Sequence, residues 1–342
     1  MPRDPVGLLL LNLGTPDAPT TPAVRRYLRE FLSDPLVIDS PAILRWLLLN
    51  FVILPFRPRR SAEAYAKVWT DRGSPLLANS VDLLDKVRGR VGDGVVVQLA
   101  MRYGEPSIAR ALSALEDARV RRIVVFPLYP QLSSAATTSS IEAVRAAVAK
   151  MSPPPEIAVV PPFFDDPRYL AAFTAVTAPV IAEVDPELVF FSFHGLPERQ
   201  IRKSDPTGRH CLASADCCER ADAAGVLASC YRAQCFTTAR LLAERLGIPA
   251  ERRIVSFQSR LGRTPWIRPF TDVEIREAAR RGAKRAVIVV PSFVADCLET
   301  LEEIGIRAVA DWRANGGETL ALVPSLNARD DWADAVVAIA RP

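Results

Sequence analysis

The run Gly7-Leu-Leu-Leu-Leu-Asn-Leu-Gly14 is apolar on both faces of any strand it could form. A half-exposed strand alternates polar and apolar residues, whereas a run without alternation suits a strand covered on both sides, as in a parallel sheet. The same pattern marks strands over Val6–Leu13, Val95–Met101, Ile123–Pro127, Leu188–Phe193, Ile254–Phe257, Ala286–Pro291 and Thr319–Val323. Helical spacing lies between them, over Pro106–Ala118, Tyr169–Glu183, Thr237–Leu246 and Asp272–Arg281. Strand and helix in alternation build βαβ units, so the chain is expected to be an α/β protein with doubly wound, Rossmann-like sheets.

A chain of 342 residues exceeds one ordinary core and suits two domains. The two halves echo one another. Asn12-Leu-Gly-Thr-Pro16 closes the first strand as Phe193-His-Gly-Leu-Pro197 closes the one near residue 190. Arg122-Ile-Val-Val-Phe-Pro127 likewise has a counterpart in Arg285-Ala-Val-Ile-Val-Val-Pro291. The expected organisation is therefore two similar domains, 1–163 and 164–324, with parallel sheets facing a central cleft, and a C-terminal helix, 325–342, packing back on them. Ligands of open α/β sheets bind beyond the carboxyl ends of the strands, so the residues just after each strand are the ones to watch.

Net charge is only +4, with bases set among acids, so a nucleic-acid partner is not expected. No apolar stretch is long enough to span a bilayer, and the N-terminus lacks the basic and small-residue regions of a signal peptide. The stretch from Ala42 to Phe56 has two readings, a core helix or an exposed apolar lip. Arg57, Arg59 and Arg60 follow it at once, and apolar residues beside a basic cluster suit contact with an anionic bilayer. The expectation is a cytoplasmic protein with peripheral membrane contact.

His194 and His210 are the only histidines. His194 follows a strand directly, on a turn shaped by Gly195 and Pro197; it is either a satisfied structural group or a proton acceptor or metal ligand at a strand end. In the matching loop of the second repeat, Glu299 and Glu303 are four apart, so a helix places both carboxylates on one face. They are either a solvated face or a row that passes protons and guides a hard cation; for Glu302 the solvated face is the expectation. Five of the six cysteines fall between 211 and 235: Cys211, Cys217, Cys218, Cys230 and Cys235. In an intracellular enzyme such crowding argues for metal ligation over disulfides, with zinc or an iron–sulfur group as the occupants.

These signatures together resemble the ferrochelatases, enzymes that insert ferrous iron into a porphyrin. The resemblance runs over essentially the whole chain. It rests on Leu9-Leu-Leu-Asn-Leu-Gly-Thr-Pro16, Tyr27-Leu-Arg-Glu-Phe-Leu-Ser-Asp-Pro35, Phe126-Pro-Leu-Tyr-Pro-Gln131 with Thr137-Thr-Ser139, Ser192-Phe-His-Gly-Leu-Pro197, Phe257-Gln-Ser259 with Pro265-Trp266, and Ala295-Asp-Cys-Leu-Glu-Thr300. It implies His194 over the porphyrin centre, Glu299 as the active-site acid and Glu303 next in the carboxylate row that serves as a proton or iron path. A further family acid falls on Arg307, so the outer end of that row departs from the pattern, and Cys297 stands where many members carry a second His. Arg57, Arg60, Arg102, Tyr103 and Trp266 fall at or near porphyrin-contacting positions. The resemblance further implies a [2Fe-2S] cluster on an insertion within 209–235, with zinc as the alternative occupant. Its expected ligands are Cys211, Cys230, Cys235 and Cys218 (or Cys217), with His210 nearby or exposed.

The implied activity is a lyase reaction, Fe²⁺ entering protoporphyrin IX to give protohaem, with no ATP and no organic cofactor. Coproporphyrin, or a corrin-type ring taking cobalt, is the alternative substrate. Asp17 stands where coproporphyrin-using relatives carry Tyr, which favours protoporphyrin. A non-catalytic tetrapyrrole carrier or iron–sulfur sensor is the alternative from another class, and the retained His194 and Glu299 argue against it.

Overall fold

The computed structural model describes residues 5–260, 262 and 264–342. The reading of Met1–Asp4 as free of a signal sequence lies outside the described residues. Among the described residues eight strands form two four-stranded sheets, and every pairing between these strands is parallel. The first sheet has β1 (Val6–Gly14), β2 (Val95–Tyr103), β3 (Arg122–Pro127) and β4 (Glu156–Val159) in the order β2-β1-β3-β4. The second has β5 (Leu188–His194), β6 (Arg253–Gln258), β7 (Arg285–Val289) and β8 (Thr319–Leu322) in the order β6-β5-β7-β8. The two orders are the same, so the echo in sequence is an echo in topology. Strands β1 and β5 each lie between the strand that follows them and the next, which makes their C-terminal ends switch points where a doubly wound sheet binds ligands.

The seven expected strands are all present. β4, of four residues and paired on one side alone, was not among those expected. Two compact units contain the sheets: one of residues up to Tyr129, Ser133–Pro161 and Asn327–Pro342, the other of Pro130–Leu132 and Pro162–Leu326.

Apolar runs become strands because both faces are covered. In the first unit Leu9, Leu11, Ala100, Ile123 and Val125 are buried under Ile108, Leu112, Leu115, Val144 and Val148 from the flanking helices. In the second, Phe190, Ala286, Ile288 and Val290 pack with Ile275, Ile304 and Trp312. Burial of each of the larger of these side chains contributes about 2 kcal/mol. The helices begin where the sequence supplies caps: Ser107 accepts the Arg110 N–H, and Asp166 accepts the Arg168 N–H with Pro167 in the first turn.

The stretch from Ala42 to Phe56 is not a core helix. It runs as the helix Ala42–Leu47, a π-helical stretch Leu48–Ile53 and the start of the helix Leu54–Val68. Ile43, Leu44, Trp46, Leu47, Leu48, Phe51, Val52 and Phe56 are exposed there, eight of the nine large exposed apolar side chains among the described residues. A concentration of this kind marks a contact surface. No helix of the described residues is long and apolar enough to cross a membrane.

Candidate active site

His194 is the last residue of β5 and is half-buried. Its Nδ1 lies 2.6 Å from the carbonyl oxygen of Gly195. A carbonyl only accepts, so Nδ1 carries a proton and Nε2 is the nitrogen at which the ring can exchange a proton or meet a metal. Gly195 is required by close approach: its N–H donates to the Gln258 carbonyl at 2.7 Å, and an added Cβ would stand 2.7 Å from that same oxygen. Trp266 belongs to a segment that pairs with the histidine turn, Glu198 N–H donating to Pro265 O and Ile267 N–H to Leu196 O. Its ring is 3.3 Å from the position a Gly195 Cβ would take, so the indole covers this turn.

The acids were expected on a helix, and the chain winds Glu299–Ala308 as a π-helix that continues into the helix Val309–Ala314. In the wider π turn, positions four and five apart still stack, and such turns concentrate at functional sites. The Glu303 carboxylate accepts the Ser259 N–H at 3.0 Å and the Ser259 hydroxyl at 2.5 Å. Burial raises its carboxyl above the ordinary 4.5, reinforced by the charge of Glu299 and opposed by Ser259, Arg307 and His194. His194, Glu299 and Glu303 thus share one electrostatic neighbourhood. Arg307 replaces the outer acid: its Nε is 2.7 Å from buried Glu302, and its second nitrogen is 3.8 Å from Glu303. Glu302, read as a solvated position, is buried and paired. The Cys297 thiol is held protonated by burial and by the adjoining Glu299 carboxylate.

Gln258 and Ser259 are functional residues that the sequence reading named only as a motif. Gln258 donates to the Glu299 carbonyl at 3.1 Å, accepts the Ser192 hydroxyl at 2.8 Å and takes the Gly195 N–H, so one side chain and its peptide join the histidine turn to the acid helix. Ser259 sits at φ 67°, a left-handed conformation that costs a non-glycine residue strain and is retained where a side chain must be aimed. Their place at the end of β6, Gln258 as its last residue and Ser259 directly after it, was the available signal.

In the first unit Arg102 and Tyr103 end β2 and meet at Asp34. The buried Asp34 carboxylate accepts Arg102 at 2.6 Å, Tyr103 at 2.8 Å and Ser139 at 2.5 Å. Burial opposes its charge, but these donors and the Leu36 N–H outweigh it and hold the carboxyl below its ordinary 3.8. A cavity of about 370 Å³ opens here, lined by Glu30, Asp34, Leu36, Arg102, Tyr103 and Glu142 among others. Arg57 and Arg60 lie on the helix Leu54–Val68, half-buried and exposed respectively.

The cysteine segment runs without helix or strand from Ser204 to Cys230, between the helices Glu198–Lys203 and Tyr231–Arg245. Asp205 organises its start: it accepts the N–H groups of Thr207, His210 and Cys211, which overcome burial and keep the carboxyl well below the usual range. Cys217 and Cys218 sulfurs are 4.0 Å apart, Cys230 hydrogen-bonds with both Cys218 and Cys211, and Arg232 donates to the Cys218 sulfur at 2.9 Å. The Cys218 contact lowers the Cys230 thiol to about 6, while burial pushes Cys211 well up. Cys235 lies one turn into the helix beside Tyr231, and His210 Nε2 is 2.7 Å from the Cys217 carbonyl. All these thiols are buried. Among the described residues, no three His, Cys, Asp or Glu side chains are grouped so as to hold a metal ion as they stand, so the expected ligand set is not drawn up into a coordination sphere.

Residues 5–342 match the family model described as Ferrochelatase. The chain belongs to the ferrochelatase family. Among curated ferrochelatases it is similar to that of Coxiella burnetii, 47% identical over 336 residues that cover 98% of this chain and 93% of the relative. It is also similar to that of Azotobacter vinelandii, 48% identical with 98% of each chain covered, and that of Pseudomonas fluorescens, 48% identical with 97% and 96% covered. Among solved structures, SirB from Bacillus subtilis with Fe³⁺ superposes with a TM-score of 0.55 at 14% identity, covering 98% of this chain and 94% of SirB. That likeness extends to the fold. In this ferrochelatase-family chain, the sequence-expected residues His194, Glu299, Glu303 and Trp266 occur within the second unit, whereas Arg57, Arg60, Arg102 and Tyr103 belong to the first.

Proposed function

We propose that the protein inserts Fe²⁺ into protoporphyrin IX, releasing two protons and protohaem, as a metal-inserting lyase of haem synthesis. The observation that carries this reading is the His194 ring, proton-bearing at Nδ1 and open at Nε2, at the switch-point end of β5 beside the acids Glu299 and Glu303. Insertion breaks two pyrrole N–H bonds and forms four Fe–N contacts. Nε2 takes one proton as the iron replaces it; Glu299 accepts the second and passes it to Glu303, whose raised affinity for protons makes it a receiver. Ser259 steadies Glu303 when it gives that proton up. Arg102, Tyr103, Arg57, Arg60 and Trp266 are assigned to the porphyrin, its carboxylates against the arginines and its face against the indole. Asp17, paired with Arg26 at 3.2 Å, favours the dicarboxylate protoporphyrin over the more acidic coproporphyrin. Iron-insertion assays with both porphyrins test this: protohaem formation at the higher kcat/KM is expected, and preference for coproporphyrin overturns the substrate.

The cysteine segment is assigned a [2Fe-2S] cluster. Buried thiols in mutual contact, with Arg232 placed to offset thiolate charge, fit a multi-thiolate group. The contacts favour Cys211, Cys217, Cys218 and Cys230, with Cys235 next in order. When bound, the group cross-links a segment with little core of its own. Red-brown protein with about two irons per chain is expected, bleached in Cys230→Ser; colourless protein with stoichiometric zinc overturns the assignment. The exposed lip is assigned to a peripheral membrane surface of a cytoplasmic protein, Arg57, Arg59 and Arg60 supplying attraction to anionic headgroups. Binding to anionic vesicles, lost in a Phe51→Ser/Phe56→Ser double variant, checks it.

A further inference from the structure

Tyr231 joins two parts of the second unit that the reaction leaves separate, the cysteine segment and the histidine turn. It follows Cys230 directly at the start of the helix Tyr231–Arg245, and its side chain is buried. The phenol donates to the main-chain carbonyl of His194 at 2.8 Å and lies 3.4 Å from the Ser292 hydroxyl, which itself donates to Gln131 at 2.9 Å. The acceptor belongs to the peptide plane between His194 and Gly195. The next carbonyl, that of Gly195, holds the imidazole Nδ1. Turning the first plane displaces the second carbonyl, so the phenol governs where the ring's anchor stands.

The other end of the linkage is equally local. Residues 230–232 are held by sulfur contacts: Cys230 with Cys211 and Cys218, and Arg232 with Cys218. Arg232 also donates to the Arg268 carbonyl and stacks on Phe236. Any rearrangement of those thiols moves the first turn of the helix, and Tyr231 is in that turn.

We propose that Tyr231 is a positioning residue for His194, through which the state of the cysteine segment sets the orientation of the imidazole. The proposal rests on the reading of His194 as the proton acceptor. A tyrosine that merely completes a buried hydrogen bond would alter stability and leave the ring's behaviour unchanged, and this separates the two roles.

The test uses the full chain as isolated, with whatever metal it carries, and Tyr231→Phe. With His194 and His210 the only histidines, ring-labelled protein gives two imidazole signals, assigned with His210→Ala. In Y231F the His194 signal and its titration midpoint are expected to move while those of His210 stay. The kcat for iron insertion is expected to fall about fivefold, as loss of one hydrogen bond implies, with the porphyrin KM within about twofold. Cys218→Ser is expected to shift the His194 signal in the wild-type background and to leave it in place in the Y231F background, the coupling pattern of a double-mutant cycle. An unmoved His194 signal with unchanged kcat in Y231F, or an identical C218S shift with and without the hydroxyl, overturns the proposal. Should Y231F not fold, 3-fluorotyrosine placed at 231 keeps the shape and is expected to move the same signal by a smaller amount; no movement overturns the proposal. His194→Ala separates this from the underlying reading. An active H194A chain removes the catalytic assignment and the proposal with it, while an inactive one beside an unaffected Y231F removes the proposal alone.

Discussion

The two units are built to one plan and equipped for different work. Each places a glycine at the end of its first strand against the last carbonyl of the neighbouring strand: Gly14 against Tyr103, Gly195 against Gln258. Each follows its third strand with a π-helical stretch, Ser134–Thr138 in one and Glu299–Ala308 in the other. The contents differ. Against the end of β2 the first unit sets a buried carboxylate, Asp34, fully engaged by Arg102, Tyr103 and Ser139, so its charge is committed to holding structure. The second sets an imidazole with an open nitrogen and a carboxyl whose proton affinity is raised. A scaffold used twice holds a fully engaged carboxylate in one copy and, in the other, the residues proposed to carry the proton chemistry.

The largest expected effect that sharpens this contrast is His194→Ala, with kcat reduced about 10³-fold, ~4 kcal/mol of barrier. Thermal melting should change little, since the side chain is only half-buried. In the first unit the ranking reverses. Asp34→Ala strands Arg102 and two hydroxyls and should cost about 4 kcal/mol of stability by denaturant unfolding. Asp34 also gives this unit an acid limb. Its carboxyl is below 3.8 in the folded protein, so it contributes stability at higher pH and loses it as pH falls through the folded value. Asp34→Asn should remove that part of the acid dependence.

How far this contrast was legible in the sequence depends on chain separation. The strands, the repeated plan and the positions of His194, Glu299 and Glu303 were readable because apolar runs and strand-end polar residues are local signals. Asp34 appeared only inside a motif, because its partners stand 68, 69 and 105 residues away and no local pattern announces such a meeting. The helix of Glu299 and Glu303 was expected but its π winding was not legible, because a four-residue spacing serves both kinds of turn. Arg307 was visible as a departure, but its pairing with buried Glu302 required the wider turn to be known. The sequence likewise set Cys235 beside Cys211 and Cys230 and left Cys217 and Cys218 as alternatives, whereas the sulfur contacts join Cys217 to Cys218 and Cys218 to Cys230.

The shared glycine gives a graded comparison. An added Cβ at Gly14 would lie 1.8 Å from a backbone oxygen at φ 111°, against 2.7 Å at Gly195. Gly14→Ala should therefore cost about 3 kcal/mol and Gly195→Ala about 2, both read by unfolding midpoint. Equal costs would break the parallel. The smallest effect runs the other way. Glu303 has a folded carboxyl raised above 4.5, so the stability it permits is full below that pH and is lost as pH rises through the folded value. Glu303→Gln should stabilise the chain at neutral pH by about 1 kcal/mol while slowing turnover, the usual exchange at a working site. A variant destabilised at neutral pH would place Glu303 with Asp34 as a structural carboxylate.

The helix Asp330–Ala340 belongs to the first unit: Trp332 is fully buried, and Arg90 bridges to Asp330 and Asp334 at 2.7 and 2.6 Å. On the ribosome, then, the unit whose sheet is translated first is finished last. Every nascent chain carries an open seat for that tryptophan throughout synthesis of the second sheet, and chaperone capture during that interval, or proteolysis of chains cut short before residue 330, should fall on the first unit.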